Sequence, residues 1–218
     1  MDQLQVKEVA KYLAKAGYTT VRFDATNSIG KSDGRLLDFT TGSYLNDLKR
    51  VIAYSLKQTK QKQYALIGYS LGAMISYLIA NKDKRVKCLI LQGPVYNLKY
   101  ALHNKKEYNF SQWQRGGWIT VHSNSKNRDY KVGFNYYQEG IKYNTKRAVK
   151  QVSCPTAIIY GTKEGNDKKK LFNQLYRGLK VRQKKKFVIP GAPHTLRKAK
   201  HVKQAADLAI SWLNKYFN

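Results

Sequence analysis

The feature that most constrains the fold of this chain is a glycine-bounded serine between a strand-like and a helix-like segment. The pentapeptide Gly68-Tyr69-Ser70-Leu71-Gly72 follows the apolar residues 64–67 and precedes the helix-like run of residues 73–80. A strand that becomes a helix within one residue strains the serine backbone and crowds the positions two before and two after it, so both positions must lack a side chain. The pattern favours a sharp turn that presents the Ser70 hydroxyl as a nucleophile over a solvated serine in an ordinary turn.

Apolar spacing predicts alternating helices and strands along the rest of the chain. Helical intervals predict an amphipathic helix over residues 3–16 and another over 43–57 that begins at Ser43. The remaining predicted elements are strands at 18–24, 64–67, 86–92, 155–161 and 186–189, and helices at 167–178 and 201–216. Short, continuous apolar strands separated by helices are typical of a mostly parallel sheet covered by helices on both faces. The predicted fold class is therefore α/β, in a single domain over residues 1–218.

A long insertion, residues 96–150, separates the strand at 86–92 from the strand at 155–161. It shows no strong strand pattern and is rich in Lys, Asn and aromatic residues, among them Trp113, Trp118, Tyr136 and Tyr137. Because long loops in compact domains tend to be functional, we predict that the insertion forms a lid. Its aromatic side chains either line an apolar substrate pocket or form the core of the lid, and the sequence favours neither.

A nucleophilic serine needs a general base, and one histidine lies where such a base is required. His194 sits in a loop after the last predicted strand and before the last predicted helix, at the same sheet edge as Ser70. The other histidines, His103, His122 and His201, lie in the insertion or at the start of the last helix. His194 is therefore the candidate base.

The acid that orients the base is expected in the loop after the strand at 155–161. Glu164 lies three residues past the glycine that ends this strand, and Asp167 lies three residues further on. Asp167 has an alternative role as a helix N-cap, so Glu164 is preferred and Asp167 stays open. The backbone N–H of Leu71, next to the serine, is the predicted oxyanion donor.

Charge and composition indicate the binding partners and the cellular location expected for this chain. The 41 basic and 13 acidic residues give a net charge of +28. This charge predicts nonspecific, salt-sensitive affinity for nucleic acid and other anionic polymers, but the basic residues are spread along the chain and no nucleic-acid-binding motif is present. No apolar stretch is long enough to cross a bilayer, and the start of the chain has no secretory core, so we expect a cytoplasmic protein. Cys88 and Cys154 are expected to be reduced, structural thiols.

In the order of serine, acid and histidine, this chain resembles the α/β-hydrolase fold family along nearly its whole length. The resemblance rests on residues 68–72, 160–164 and 191–194. Residues 22–24 with 27–34 are similar to a loop of small bacterial esterases and lipase-like or aminopeptidase-like hydrolases. Residues 118–129 and 137–140 are similar to the lid of that esterase group. The resemblance implies a serine hydrolase that needs no cofactor or metal.

The resemblance also implies that strands found at the start of family members are absent from this chain. Family members begin with two or three strands and a His-Gly loop that donates a second oxyanion N–H, before the helix that opens this sequence. In the family sheet, one of those strands lies between the strands that match residues 18–24 and 64–68. We therefore expect that these two strands close up against each other, or that the chain is a fragment. Loss of one oxyanion donor typically costs about a hundred- to a thousandfold in turnover.

The predicted function is carboxylic-ester hydrolysis through an acyl-enzyme on Ser70, with His194 as base and a small acyl ester as substrate. The first alternative is a catalytically impaired member of the same fold that acts as a binding module. The second is a basic binder of nucleic acid or of an anionic surface. The acyl group, the leaving group and the oligomeric state cannot be read from the sequence.

Overall fold

The computed structural model describes residues 4–105, 108–123, 126–196 and 198–217. Gln3, at the start of the predicted first helix, lies outside the described residues. The helices are α1 (Leu4–Lys15), α2 (Thr41–Thr59), α3 (Leu71–Ala80), α4 (Leu98–His103), α5 (Phe110–Gly116), α6 (Asn135–Gly140), α7 (Thr145–Gln151), α8 (Asn166–Gly178) and α9 (Ala199–Tyr216), with a 3₁₀ turn at Leu36–Asp38. The strands are β1 (Tyr64–Tyr69), β2 (Val86–Gln92), β3 (Trp118–Ser123), β4 (Arg128–Gly133), β5 (Thr156–Gly161) and β6 (Lys184–Ile189).

The described residues group into two compact units. The sheet unit comprises residues 4–22, 53–96 and 145–217, and the aromatic unit comprises residues 23–52 and 97–144. The aromatic unit thus includes most of the predicted insertion together with an earlier segment of the chain. That the insertion acts as a lid stays a prediction.

The sheet unit is built on a parallel four-stranded sheet with the order β1-β2-β5-β6. The register pairs Leu66 with Leu89 and Ile90 with Ala157, so the strand centres are aligned. All four strands therefore end at one edge of the sheet, where the segments after β1, β5 and β6 begin. The predicted fold class is confirmed: the sheet is parallel, and its strands are connected through helices.

Alternate residues of the strands face opposite sides of the sheet, and each side is covered by helices. Cys88 and Ile90 share one buried cluster with Val9 of α1 and Ala206 of α9, so α1 and α9 cover that face. Helix α3 packs against β1 and β2. Residues 73–80 of α3 are all buried, as expected for a helix that is apolar on nearly all sides.

The predicted strand at residues 18–24 is wrong, because residues 18–25 form no strand in the described part of the chain. A strand requires a hydrogen-bonded neighbour, and the one ladder that β1 forms in this sheet is with β2. The segments at 18–24 and 64–68 therefore do not close up into adjacent strands. Residues 19–22 are exposed, with Val21 at 55%.

The predicted start of the second helix at Ser43 is also wrong by two residues. Helix α2 begins at Thr41, and Thr40 caps it: the Ser43 N–H donates to the Thr40 Oγ1 at 3.0 Å, while the Thr40 N–H donates to the Ser43 Oγ at 3.2 Å. This reciprocal pair is a capping box with serine in the position that glutamate usually takes.

The aromatic unit contains an antiparallel hairpin of β3 and β4, which the sequence pattern did not predict. Trp113 is fully buried in this unit, and its indole N–H donates to the Val132 carbonyl oxygen at 2.9 Å. Tyr136 and Tyr137 are also buried, whereas Trp118 is 42% exposed with the Lys131 ammonium 3.9 Å from its ring centre. Three of the four singled-out aromatic residues therefore belong to the core of their unit.

In the described residues, no helix combines the length and apolar character that crossing a membrane requires. Both cysteines are buried free thiols. Burial raises the pKa of Cys88 to about 12 and that of Cys154 to about 11, so both remain protonated at neutral pH. Neither thiol is therefore activated as a nucleophile.

Candidate active site

The turn between β1 and α3 holds Ser70 in a backbone conformation that L-residues rarely adopt, with φ 53° and ψ −114°. A Cβ on Gly68 would overlap the Gly72 carbonyl oxygen, which explains the glycine at position 68. The Ser70 N–H donates to the Gln92 carbonyl oxygen at 2.8 Å, and the Ser70 carbonyl oxygen accepts from the Val95 N–H at 3.2 Å. These two hydrogen bonds therefore hold the strained turn against the end of β2 and the residues that follow it.

His194 lies in the segment between β6 and α9, and its ring reaches Ser70. The Nε2 atom of His194 is 3.1 Å from the Ser70 Oγ. The imidazole is part-buried, with 27% of its side chain exposed. The distance suits proton transfer from the serine hydroxyl to a neutral imidazole.

Glu164 lies in the segment between β5 and α8 and contacts the opposite nitrogen of the same ring. Its Oε1 atom is 2.7 Å from the His194 Nδ1, and its side chain is 2% exposed. A buried carboxylate on Nδ1 fixes the tautomer that carries a proton there, which leaves Nε2 free to accept the serine proton. The structure thus brings Ser70, His194 and Glu164 into one hydrogen-bonded line.

The segments that carry Glu164 and His194 are bound to each other. The Gly191 N–H donates to the Thr162 Oγ1 at 2.8 Å, and the Lys163 N–H donates to the Ala192 carbonyl oxygen at 3.0 Å. A Cβ on Gly161 would overlap the same Ala192 oxygen, so glycine permits this close approach. These contacts fix the distance between the acid and the imidazole.

Tyr69, next to the serine, supports the His194 main chain from the β1 side. Its hydroxyl donates to the His194 carbonyl oxygen at 3.0 Å, and the two rings lie 5.3 Å apart. Burial, together with the nearby charge of Glu164, raises the pKa of Tyr69 to about 12. The hydroxyl therefore stays protonated and can donate at neutral pH.

The structure does not bring the alternative acid Asp167 to the His194 ring. Asp167 lies in the first turn of α8, where its Oδ1 is 3.9 Å from the Lys170 ammonium. His103 and His122 lie in the aromatic unit, while His201 is buried in the first turn of α9. Of the two predicted acids, only Glu164 hydrogen-bonds His194 in the described residues.

Leu71 occupies the first position of α3, where a backbone N–H has no acceptor within the helix. The helix dipole adds partial positive charge at this end, so the position suits a developing oxyanion. Sequence reasoning named this donor, but it missed Tyr69, Thr162 and Lys168 around the same site. Only Lys168 had a sequence signal, its spacing of four residues from Glu164.

A parallel sheet covered by helices, with a serine on a strained strand-to-helix turn, defines the α/β-hydrolase class. The sequence matches the family described as Serine aminopeptidase, S33, over residues 3–128, and the chain belongs to this family. The predicted resemblance is therefore confirmed. The matched part contains Ser70, whereas Glu164 and His194 lie beyond it.

Individual known proteins are similar to parts of the chain or to its fold. An acyl transferase of Aliivibrio fischeri (strain MJ11) is 33% identical over 104 residues, which cover 48% of this chain and 33% of that protein. The mitochondrial palmitoyl-protein thioesterase ABHD10 of Mus musculus is 22% identical over 171 residues, covering 75% of this chain and 54% of the relative. The match thus spans about a third of the first relative and about half of the second.

Among solved structures, Est1E from Butyrivibrio proteoclasticus, with ferulic acid bound, superposes with a TM-score of 0.81 at 19% identity. The superposition covers 98% of this chain and 84% of that one. At this identity the likeness shows the α/β-hydrolase fold alone. Together with the family match, it places the chain in the α/β-hydrolase fold class.

Proposed function

We propose that this protein is a serine esterase that hydrolyses small carboxylic esters through an acyl-enzyme on Ser70. The observation that carries the proposal is the hydrogen-bonded line from the Ser70 Oγ through the His194 ring to Glu164, with distances of 3.1 Å and 2.7 Å. These groups stand in the chain order of serine, acid and histidine that the class uses.

In the first half of the proposed reaction, the Ser70 Oγ attacks the ester carbonyl carbon while His194 Nε2 takes the hydroxyl proton. The resulting imidazolium is stabilised by the Glu164 carboxylate on Nδ1. The oxyanion accepts the Leu71 N–H at the start of α3. His194 then returns the proton to the leaving alkoxide, and the acyl group remains on Ser70.

In the second half, water takes the place of the alcohol, and His194 acts again as base and then as acid. An acyl transferase and a palmitoyl-protein thioesterase are among the similar proteins, and each of those activities also moves an acyl group. We propose water as the acceptor because the similar solved structures include esterases. The proposed substrate is a small acyl ester.

The net charge of +28 carries a separate, weaker proposal, that anionic polymers bind nonspecifically to the surface. Such binding is expected to disappear at physiological salt and to show no sequence preference. Binding to DNA or RNA that survives salt and discriminates between sequences would instead favour the nucleic-acid hypothesis.

The proposal is tested with a fluorophosphonate probe and with p-nitrophenyl acetate or butyrate as substrates. We expect stoichiometric labelling of Ser70 by intact mass, and ester turnover that falls by about a thousandfold or more in Ser70→Ala. The Ser76→Ala variant is the matched control, because Ser76 lies in α3 and its hydroxyl donates to the Gly72 carbonyl oxygen rather than to His194. A well-folded wild type that neither labels nor turns over ester would favour the impaired binding module instead.

A further inference from the structure

The second oxygen of the Glu164 carboxylate stands out in the active site. Oε1 is engaged by His194, whereas the buried Oε2 accepts no hydrogen bond from the described residues. The Lys168 ammonium lies 3.5 Å from this oxygen, close enough for an ion pair. A carboxylate whose side chain is 2% exposed therefore has a histidine on one oxygen and a lysine beside the other.

The place of Lys168 on its helix is unfavourable without this partner. Lys168 lies in the first turn of α8, which begins at Asn166, and a cation near a helix N-terminus opposes the helix dipole. The N-cap residue, Gly165, offers no side chain to cap the turn. The Glu164 carboxylate is thus a local reason for Lys168 to lie over the active-site loop rather than in bulk solvent.

We propose that Lys168 is a positioning residue for the acid: by pairing with Oε2, it prevents the Glu164 carboxylate from rotating and holds Oε1 on His194 Nδ1. This inference rests on the proposed function and adds a fourth residue to its machinery. Lys168 touches neither the substrate nor Ser70 in this proposal. It acts through Glu164.

Lys168 has two opposing effects on the reaction rate, and their relative sizes decide whether its removal raises or lowers kcat. Its positive charge weakens the support that Glu164 gives to the imidazolium, but the Lys168 side chain is 49% exposed and this effect is screened by water. Loss of orientation is not screened, because small misplacements of a catalytic group lower the rate steeply. Removal of Lys168 is therefore expected to slow the reaction.

The test compares Lys168→Met with Lys170→Met, which removes the same charge from the same helix. Lys170 is 77% exposed, and its ammonium lies 3.9 Å from the Asp167 Oδ1, so its ion-pair partner is Asp167 rather than Glu164. We expect kcat to fall about three- to tenfold in Lys168→Met with KM nearly unchanged, because the misplacement affects the transition state and not substrate binding. Lys170→Met should match the wild type, and Lys168→Arg, which keeps an ion-pair partner, should recover most of kcat. Melting curves verify that each variant is folded.

A double-mutant cycle shows whether Lys168 acts through Glu164. In a Glu164→Gln background, the rate of fluorophosphonate labelling should be the same with and without the Lys168→Met substitution, because the carboxylate is already gone. Equal kcat in Lys168→Met and Lys170→Met, or an undiminished loss in the Glu164→Gln background, would overturn the inference while leaving the esterase proposal standing. An inactive and unlabelled wild type would overturn both.

Discussion

Ser70 and His194 reach the same point at the sheet edge by two different structural routes. Ser70 is placed by a strained turn only five residues long, which fixes its backbone at a positive φ of 53°. His194 is placed by contacts between segments about thirty residues apart, through the Gly191 to Thr162 and Lys163 to Ala192 hydrogen bonds. The first route is mainly local in sequence, and the second depends on the whole sheet.

Because the two routes differ, substitutions around Ser70 and around His194 should have different consequences. The turn at Gly68 has no spare room, since any added atom there meets backbone atoms. The turn therefore cannot be partly preserved when it is altered. A pair of segments joined by separate hydrogen bonds can lose one bond and keep the others. Changes at the turn of residues 68–72, here called the elbow, should therefore abolish function. Changes between the segment that carries Glu164 after β5 (the acid segment) and the segment that carries His194 after β6 (the histidine segment) should reduce function by degrees.

The largest effect is expected from Gly68→Ala, which adds one methyl group inside the elbow. The new Cβ would overlap the Gly72 carbonyl oxygen, so β1 and α3 must separate. We expect a loss of about 3 kcal/mol or more in the free energy of unfolding, and no labelling of Ser70 by a fluorophosphonate. Thermal melts and intact-mass labelling measure the two outcomes.

Gly165→Ala is the matched control for that variant. A Cβ on Gly165 meets nothing within 4 Å, and the residue has an ordinary φ of −59°. It should therefore fold and label like the wild type. If Gly68→Ala kept both its stability and its labelling, the elbow would tolerate an added methyl group and would not be rigid.

The next largest effect separates the two candidate acids. Glu164→Gln keeps the shape of the side chain but removes the charge that stabilises the imidazolium, so kcat should fall about a hundred- to ten-thousandfold. Asp167→Asn should change kcat by less than about threefold, because the Asp167 side chain is exposed and paired only with Lys170 in the described residues. Steady-state ester hydrolysis by both purified variants measures these changes.

A reversed result would move the role of acid to Asp167 and show that the β5 segment rearranges in solution. Equal, small losses in both variants would mean that neither carboxylate orients His194. In that case the 2.7 Å contact between Glu164 and His194 would have no catalytic role.

The two routes also explain which parts of the site could be predicted. The elbow was readable from sequence because its glycines, its strand and its helix are adjacent, and Ser70 has the predicted backbone strain. For the acid, the sequence favours Glu164 and keeps Asp167 as an alternative, since both follow β5 and only the contact with the His194 segment separates them. Tyr69 and Thr162 gave no signal, because their partners are set by tertiary structure.

The same distinction holds for the fold. Helices α1, α2, α3, α8 and α9 and the strands of the parallel sheet were predicted within a few residues, since apolar periodicity is a local property, whereas the short helices α4 to α7 were not predicted. Residues 18–24 were wrongly predicted as a strand because an apolar run does not reveal whether a ladder partner exists. The β3–β4 hairpin was missed although apolar Ile119 and Val121 alternate with polar Thr120 and His122, and that alternation was the available signal.

A smaller effect is expected from Thr162→Val, which removes one of the bonds between the acid and histidine segments. The Thr162 hydroxyl oxygen accepts the Gly191 N–H at 2.8 Å, and valine of similar shape cannot. We expect a loss of about 1 kcal/mol in stability and a fall in kcat of about two- to fivefold. Thr162→Ser keeps the acceptor and should restore both. If valine and serine behaved alike, the hydrogen bond would not contribute to the placement of His194.

The smallest effect concerns the buried His201 beneath the histidine segment. His201 is 2% exposed, and its Nε2 lies 3.9 Å from where a Gly191 Cβ would be. Burial, then the charges of Lys200, Lys198 and Lys163, hold the pKa of His201 below its usual value of 6.5. The unfolded chain therefore binds a proton at His201 more readily than the folded protein does. The stability that neutral His201 contributes to the folded protein is complete above about pH 6.5 and is lost as the pH falls below that value.

Melting temperatures measured from pH 7.5 down to pH 5 test this contribution. The wild type should lose stability as the pH falls, and His201→Asn, which cannot take up a proton, should lose about one or two degrees less over the same interval. Above pH 7 the two curves should run parallel, because His201 is neutral in both states of the wild type. A variant whose melting temperature falls as steeply as that of the wild type would show that His201 is not the titrating group. The acid sensitivity would then arise from another titratable group.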